Sequence, residues 1–149
     1  MTKILLISDS HGRASAIADV IREEKPDAVF FLGDCVPDMT EAAREFPGLD
    51  VRCVRGNCDA PFAAPEKLIT SVDGVEIFAA HGDAYGVNTG LLRLALAARE
   101  ADCAAAFFGH THRSCRSVDG GVMLVNPGTL TDGSYAVLEA DCGRLCVVK

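Results

Sequence analysis

Four imidazoles and three oxygen-bearing side chains stand where apolar runs stop. Asp9 and His11 follow the run Lys3-Ile4-Leu5-Leu6-Ile7-Ser8. A carboxylate and an imidazole two positions apart project to the same side of an extended backbone, so both can reach one cation. Alternatively, Asp9 caps the helix that follows. Four more runs end the same way, at Gly33-Asp34, Gly56-Asn57, His81-Gly82 and Gly109-His110-Thr111-His112. All 4 histidines of the chain lie in these clusters. A lone histidine reads as a structural hydrogen-bonding residue; four confined to strand ends point to metal ligation. Seven donors exceed one tetrahedral site and suit two cations of about five or six ligands each. Mixed oxygen and nitrogen donors without thiolate favour Mn²⁺, Fe, Zn²⁺, Co²⁺ or Ni²⁺ over Ca²⁺.

The elements that must position these residues follow from periodicity. Residues 14–24 place Ile17, Val20 and Ile21 on one helical face, closed by Pro26. Residues 28–32 form a second buried strand. A weaker helix spans about 38–45, and a third strand spans 49–54. This alternation predicts parallel strands with right-handed crossovers. The pattern then changes. Residues 67–72 and 75–80 flank Asp73-Gly74, a hairpin signal. A helix over about 89–100 shows Leu92, Ala95 and Leu96 on its apolar face, and 104–108 is another buried strand. Residues 114–118, 122–125, 134–139 and 144–148 read as strands in two C-terminal hairpins. The expected fold is α/β: a two-sheet sandwich flanked by helices, with the hairpins completing the second sheet. Residues 1–149 are expected to form a single domain. Ligands gather at the carboxyl ends of parallel strands, and the polar clusters fall there.

Hydrophobic residues make up 49% of the 149 residues and charged ones 23%, which excludes a disordered chain. The net charge of -7 argues against an extended nucleic-acid footprint, which needs a basic face. A small anionic substrate is still compatible, because bound cations invert the local field. The 7 cysteines are odd in number and form no CxxC pair, and the apolar start is too short for a signal peptide or a membrane span. They read as reduced thiols, the expected compartment being cytoplasmic.

In order along the chain, Asp9-x-His11, Gly33-Asp34, Gly56-Asn57-x-Asp59, His81-Gly82 and Gly109-His110-Thr111-His112 resemble the motif series of calcineurin-like metallophosphoesterases. The length and Asn126-Pro127-Gly128 are similar to the small prokaryotic phosphodiesterase branch of that family. The resemblance implies a dinuclear centre. One metal takes Asp9, His11 and His112, the other takes Asn57, His81 and His110, and Asp34 bridges both. Mn²⁺ is the first choice. The chain departs from the wider family at Cys58. Many members carry a histidine there, thought to assist the leaving group, and a thiol is the poorer proton donor. A homo-oligomer is in keeping with the family.

The expected function is metal-dependent hydrolysis of a small phosphodiester. A water or hydroxide shared by the cations attacks phosphorus, and Asp34, Asn57, His81 and His110 form the catalytic set. Arg13, Arg55 and Arg113 each adjoin a motif and are candidate phosphate contacts, otherwise solvated surface charge. The competing readings are a phosphomonoesterase or nucleotidase, and a non-catalytic scaffold that resembles the retromer-type subunit of the same fold.

Overall fold

The computed structural model describes residues 1–149. Ten strands and three α-helices follow in the order β1 (Thr2–Ile7), α1 (Ala14–Glu24), β2 (Ala28–Phe31), α2 (Val36–Ala43), β3 (Asp50–Cys53), β4 (Lys67–Val72), β5 (Val75–Ala80), α3 (Leu92–Glu100), β6 (Ala105–Phe107), β7 (Cys115–Asp119), β8 (Val122–Asn126), β9 (Ala136–Asp141) and β10 (Arg144–Val147). They form two five-stranded sheets, ordered β10-β9-β1-β2-β3 and β4-β5-β6-β8-β7. Strands β1, β2 and β3 run parallel, as do β5, β6 and β8. Their carboxyl ends therefore collect at one edge of each sheet.

The sheets pack face to face. Ile4, Leu6, Phe30 and Leu32 meet Ile77, Ala79, Phe107 and Val125 between them. Phe30 and Phe107 touch edge to face across this seam, with ring centroids 5.2 Å apart. The alternate residues Leu5, Ile7, Val29 and Phe31 face outward under α1 and α2, against Ile17, Ile21 and Met39. Both faces of these strands are thus buried, which explains why they read as unbroken apolar runs rather than alternating ones. Phe78, Ala106, Phe108 and Leu124 do the same beneath α3. Asp73 and Gly74 both adopt positive φ (47° and 82°), the backbone that a two-residue hairpin needs. No helix is long and apolar enough to cross a membrane.

Three expectations are corrected. The hairpin β7–β8 completes the second sheet, but β9–β10 joins the first, where β9 pairs antiparallel with β1. Ala136, Leu138 and Ala140 fill the inter-sheet core while Val137 faces the helices, so β9 is apolar on both sides and fits beside the central β1. The buried stripe of α3 is Leu94, Ala95 and Ala98, whereas Leu92 and Leu96 are exposed. Leu94, Ala95 and Ala98 pack against Phe78, Ala106, Phe108 and Leu124 of the sheet, and Leu92 and Leu96 lie off that stripe. Helix α2 begins at Val36, not 38, with Pro37 in its first turn, where a missing N–H costs nothing.

Glu24 locks the end of α1. Its carboxylate is 2.8 Å from Lys149 Nζ and 3.4 Å from Lys3 Nζ, and it accepts the Tyr135 hydroxyl at 2.6 Å. Lys149 and Tyr135 outweigh burial and hold its pKa at about 2. A depressed carboxylate pKa adds stability above the unfolded value, near ~4.3, which is lost as pH falls through about 2. Glu24→Gln should therefore lower the urea midpoint at pH 7, and the gap to the parent should close as the pH is brought down to ~2. A gap that is independent of pH would refute this electrostatic role.

Candidate functional site

Each candidate side chain leaves the end of a parallel strand. Asp9 and His11 follow β1, Asp34 follows β2, Asn57 follows β3, His81 follows β5, and His110 and His112 follow β6. Neighbouring strand ends are tied by backbone bonds, Asp9 N–H to Gly33 C=O at 3.0 Å and Gly109 N–H to His81 C=O at 2.9 Å. The turns are tight enough that Asp9, His11, Asp34, His110 and His112 all take positive φ, between 46° and 71°. Such backbone is rare for non-glycine residues and marks functional sites.

Space is as tightly set as conformation. A Cβ on Gly56 would lie 2.1 Å from Asp34 Oδ1, and one on Gly109 would lie 2.1 Å from Ser8 Oγ. These two glycines are needed for close approach, since neither has a positive φ.

The seven donors converge. Asp9, His11, Asp34 and His112 each place one ligating atom within 4.8 Å of the others. The remaining three join them through Asp34. His81 Nε2 lies 3.4 Å from Asp34 Oδ2 and 3.2 Å from His110 Nδ1, which is 3.1 Å from Asn57 Oδ1. His81 Nδ1 donates to the Leu32 carbonyl at 2.6 Å, which fixes the ring and turns Nε2 inward.

One atom defines the chemistry. Asp9 is fully buried, and its Oδ2 accepts the Ser8 hydroxyl at 2.5 Å and the His110 N–H at 3.4 Å. Its Oδ1 is buried without a hydrogen-bond partner. Nε2 of His112 is 3.2 Å away and those of His11 and His81 are each 4.0 Å away, close enough for attraction but not directed as hydrogen bonds. Burial pushes the Asp9 carboxyl above its usual range despite Ser8 and the imidazoles. Asp34 goes the opposite way: burial would raise it, but His81 and the Cys58 N–H hold it below the usual carboxylate range. His81 rises in turn, because Asp34, the Leu32 carbonyl and Asp9 outweigh burial. A buried carboxylate oxygen facing unshared imidazole nitrogens fits a divalent cation, which would satisfy them all.

Residues to which sequence reasoning gave no role, Asp59 and Asn126 of the quoted motifs among them, hold the loops. Asp59 accepts the backbone N–H groups of Asp34, Cys35, Val36 and Gly56 at 2.8–2.9 Å. Asp38 accepts Ser10 Oγ and Gly12 N–H, each at 2.7 Å. Asn126 donates to the Gly109 carbonyl at 3.1 Å and to Thr111 Oγ1 at 2.9 Å, and Thr129 donates to the Asp9 carbonyl at 2.9 Å. For Asp38 and Thr129 the only signal was a short polar side chain in a first helical turn or after a strand end, whereas Asp59 and Asn126 stood in the quoted motifs. Asp9 caps no helix: α1 starts after Arg13 and has no side-chain cap.

The peripheral candidates are scattered. Arg55 Nη1 donates to the Ala64 carbonyl at 3.1 Å, and Nη2 lies 3.9 Å from Glu66. Arg113 lines a separate recess with Val87 and Leu91, and Arg13 is exposed at the start of α1. Cys58 is exposed beside Asn57, 3.6 Å from its Nδ2, and the negative Asp34 pushes its thiol pKa up.

The profile of the calcineurin-like phosphoesterase superfamily domain matches residues 2–143. A probable metallophosphoesterase of Bacillus subtilis is 28% identical over 147 residues, covering 93% of this chain and 84% of its own. Among solved structures, Vps29 of Entamoeba histolytica complexed with Zn²⁺ superposes with a TM-score of 0.80 at 23% identity, over 96% of this chain and 88% of that one. An archaeal phosphodiesterase superposes with a TM-score of 0.75 at 19% identity, over 98% of each chain. The last two likenesses are of fold.

Gly56→Ala should displace Asp34 and weaken metal binding at least roughly tenfold, with the far-UV circular dichroism retained. Calorimetric titration with Mn²⁺ measures it; unchanged affinity would show that the strand ends are not held this tightly.

Proposed function

Because the chain belongs to the calcineurin-like phosphoesterase superfamily, we propose that it is a metal-dependent hydrolase of phosphodiesters working with two divalent cations. The observation that carries this reading is the donorless, buried Asp9 Oδ1 among three imidazole nitrogens. Asp9, His11 and His112 would hold one cation, Asn57, His81 and His110 the other, and Asp34 both. Mn²⁺ heads the candidate metals. Cations held there supply Lewis-acid activation of water and neutralise charge on the phosphoester.

The chain's own residues set the rest. Asp34 Oδ1 accepts the Cys58 N–H at 3.0 Å while Oδ2 faces His81, so its two oxygens serve different parts of the donor set. The Leu32 carbonyl keeps the proton of His81 on Nδ1. The rings of His81 and His110 stand 5.0 Å apart and would act on a phosphoryl group through the cation they hold, since the one N–H of neutral His81 is committed to Leu32. Of the arginines that adjoin a motif, Arg55 is committed to the Ala64 carbonyl and faces Glu66, so it is not free to meet a phosphate. The complete donor set supports an enzyme over a scaffold of the same fold.

Asp34→Asn should cut Mn²⁺-supported turnover of an aryl phosphodiester by more than about a hundredfold. Retention of most of the wild-type rate at saturating Mn²⁺ would refute the shared-ligand role. Removing metal with EDTA should lower the melting temperature, since an ion that binds only the folded chain adds stability. Equal melting temperatures with and without Mn²⁺ would contradict that linkage.

A further inference from the structure

A groove of about 620 Å³ opens beside the metal-binding cluster. His11 and Cys58 form its inner end. One wall is the face of α2 that shows Val36, Pro37, Thr40 and Arg44, and the other is the loop that carries Phe62. Val36, Thr40 and Arg44 recur every four residues, so they form one stripe leading away from the site. About 12 Å of helix separates Val36 from Arg44.

Two features of this groove have no structural use. Phe62 is 92% exposed, the most exposed of the large hydrophobic side chains. It is nevertheless on a fixed segment: Arg55 N–H donates to the Pro65 carbonyl at 2.9 Å, Arg55 Nη1 to the Ala64 carbonyl at 3.1 Å, and Ala63 N–H to the Ala60 carbonyl at 3.0 Å. Ala63 and Ala64 pack on the core and anchor the segment from below. Arg44 is exposed and has no carboxylate within 4.0 Å, although acidic side chains outnumber basic ones in the chain by 21 to 14.

We propose that this groove binds one ester arm of the substrate, a flat aromatic group that stacks on Phe62 and carries a second negative charge to Arg44. The inference rests on the phosphodiesterase reading and names the substrate class for it. The groove is continuous with that site through His11 and Cys58, so a phosphoryl group held at the strand ends directs its ester oxygen into the mouth of the groove. Aromatic rings stack on an exposed phenyl face without needing hydrogen-bond partners, which suits a wall with few polar atoms. The unpaired guanidinium at the far end complements an anion in a chain that is otherwise acidic. A nucleobase-bearing or other aryl phosphodiester with a distal phosphate or carboxylate has this form.

The test uses single-armed phosphomonoesters, whose binding does not depend on turnover. Mn²⁺-loaded protein is titrated calorimetrically with methyl phosphate, biphenylyl phosphate and the para-carboxylate of biphenylyl phosphate. Biphenylyl phosphate should bind roughly tenfold more tightly than methyl phosphate, and the carboxylate about threefold more tightly again. Phe62→Ala should erase the first gain and Arg44→Gln the second, each leaving methyl phosphate affinity unchanged. Both side chains are exposed, so neither variant should compromise folding. Equal affinity for methyl and biphenylyl phosphates, or a preference that survives Phe62→Ala, overturns the inference. Selective binding without hydrolysis of any diester by the same loaded protein would leave the groove assignment standing and sink the phosphodiesterase reading instead.

Discussion

The arrangement depends on one buried oxygen. Asp9 Oδ1 is removed from water and receives no hydrogen bond. Burying an ionised carboxylate costs several kcal/mol unless positive charge or donors repay it. Oδ2 is satisfied by Ser8 and by the His110 N–H, so the polypeptide has satisfied one half of the carboxylate and left the other open. The imidazoles of His11, His81 and His112 converge on that open half. Burial works against the charge on Asp9, whereas the close approach of Asp34 and His81 favours the charged form of each. A divalent ion offsets the burial of Asp9, since it replaces the missing donor and gives each imidazole lone pair a partner.

Holding such a cluster in place requires strained backbone, and other carboxylates hold the strain. Left-handed φ at a non-glycine residue costs on the order of 1 kcal/mol, and five of the candidate ligands adopt it. Asp59 offsets this around Asp34 by accepting four backbone N–H groups that the turn would leave unpaired. Asp38 accepts the Gly12 N–H and the Ser10 hydroxyl in the loop carrying His11, and the Asn126 amide donates to the Gly109 carbonyl and Thr111 Oγ1 in the loop carrying His110 and His112. The glycines complete the design by absence of volume. Gly56 lets the third strand end lie against Asp34, and Gly109 lets the sixth lie against Ser8.

What the sequence made legible follows from where physics acts locally. Strands buried on both faces leave unbroken apolar runs, so β1, β2 and β6 were readable, and the two-sheet class followed from the change of pattern after residue 60. Confinement of histidine to strand ends needed no structure to notice. Partner choice was not legible, because it is non-local. Nothing in Tyr135-Ala136-Val137-Leu138 says that β9 pairs with β1 rather than extending the second sheet; the decision lies in how Leu138 and Ala140 fill space against residues over 100 positions away. The face of α3 was legible only in part for a related reason. Ala95 was read correctly, but hydrophobicity set Leu92 and Leu96 beside it, whereas the stripe that meets the sheet is Leu94, Ala95 and Ala98. The supporting roles of Asp38 and Asp59 were hidden because a carboxylate that bonds backbone N–H groups resembles, in sequence, any polar residue in a turn.

The same sandwich superposes on Vps29 and on an archaeal phosphodiesterase, so the fold by itself does not choose a function. Ordinary residues in relaxed turns would raise stability at the positions of Asp9, His11, His110 and His112, so the donorless acid and the left-handed backbone there are a cost that a bound cation offsets. Besides single residues in turns such as Lys25, Asp73, Asp102 and Cys142, left-handed backbone gathers at the edge where the parallel strands end, while the inter-sheet core is packed with Phe30, Phe107 and aliphatic side chains. A stable core that supports a locally unfavourable, charge-crowded rim is the distribution expected of a site that draws its final stabilisation from a bound cation.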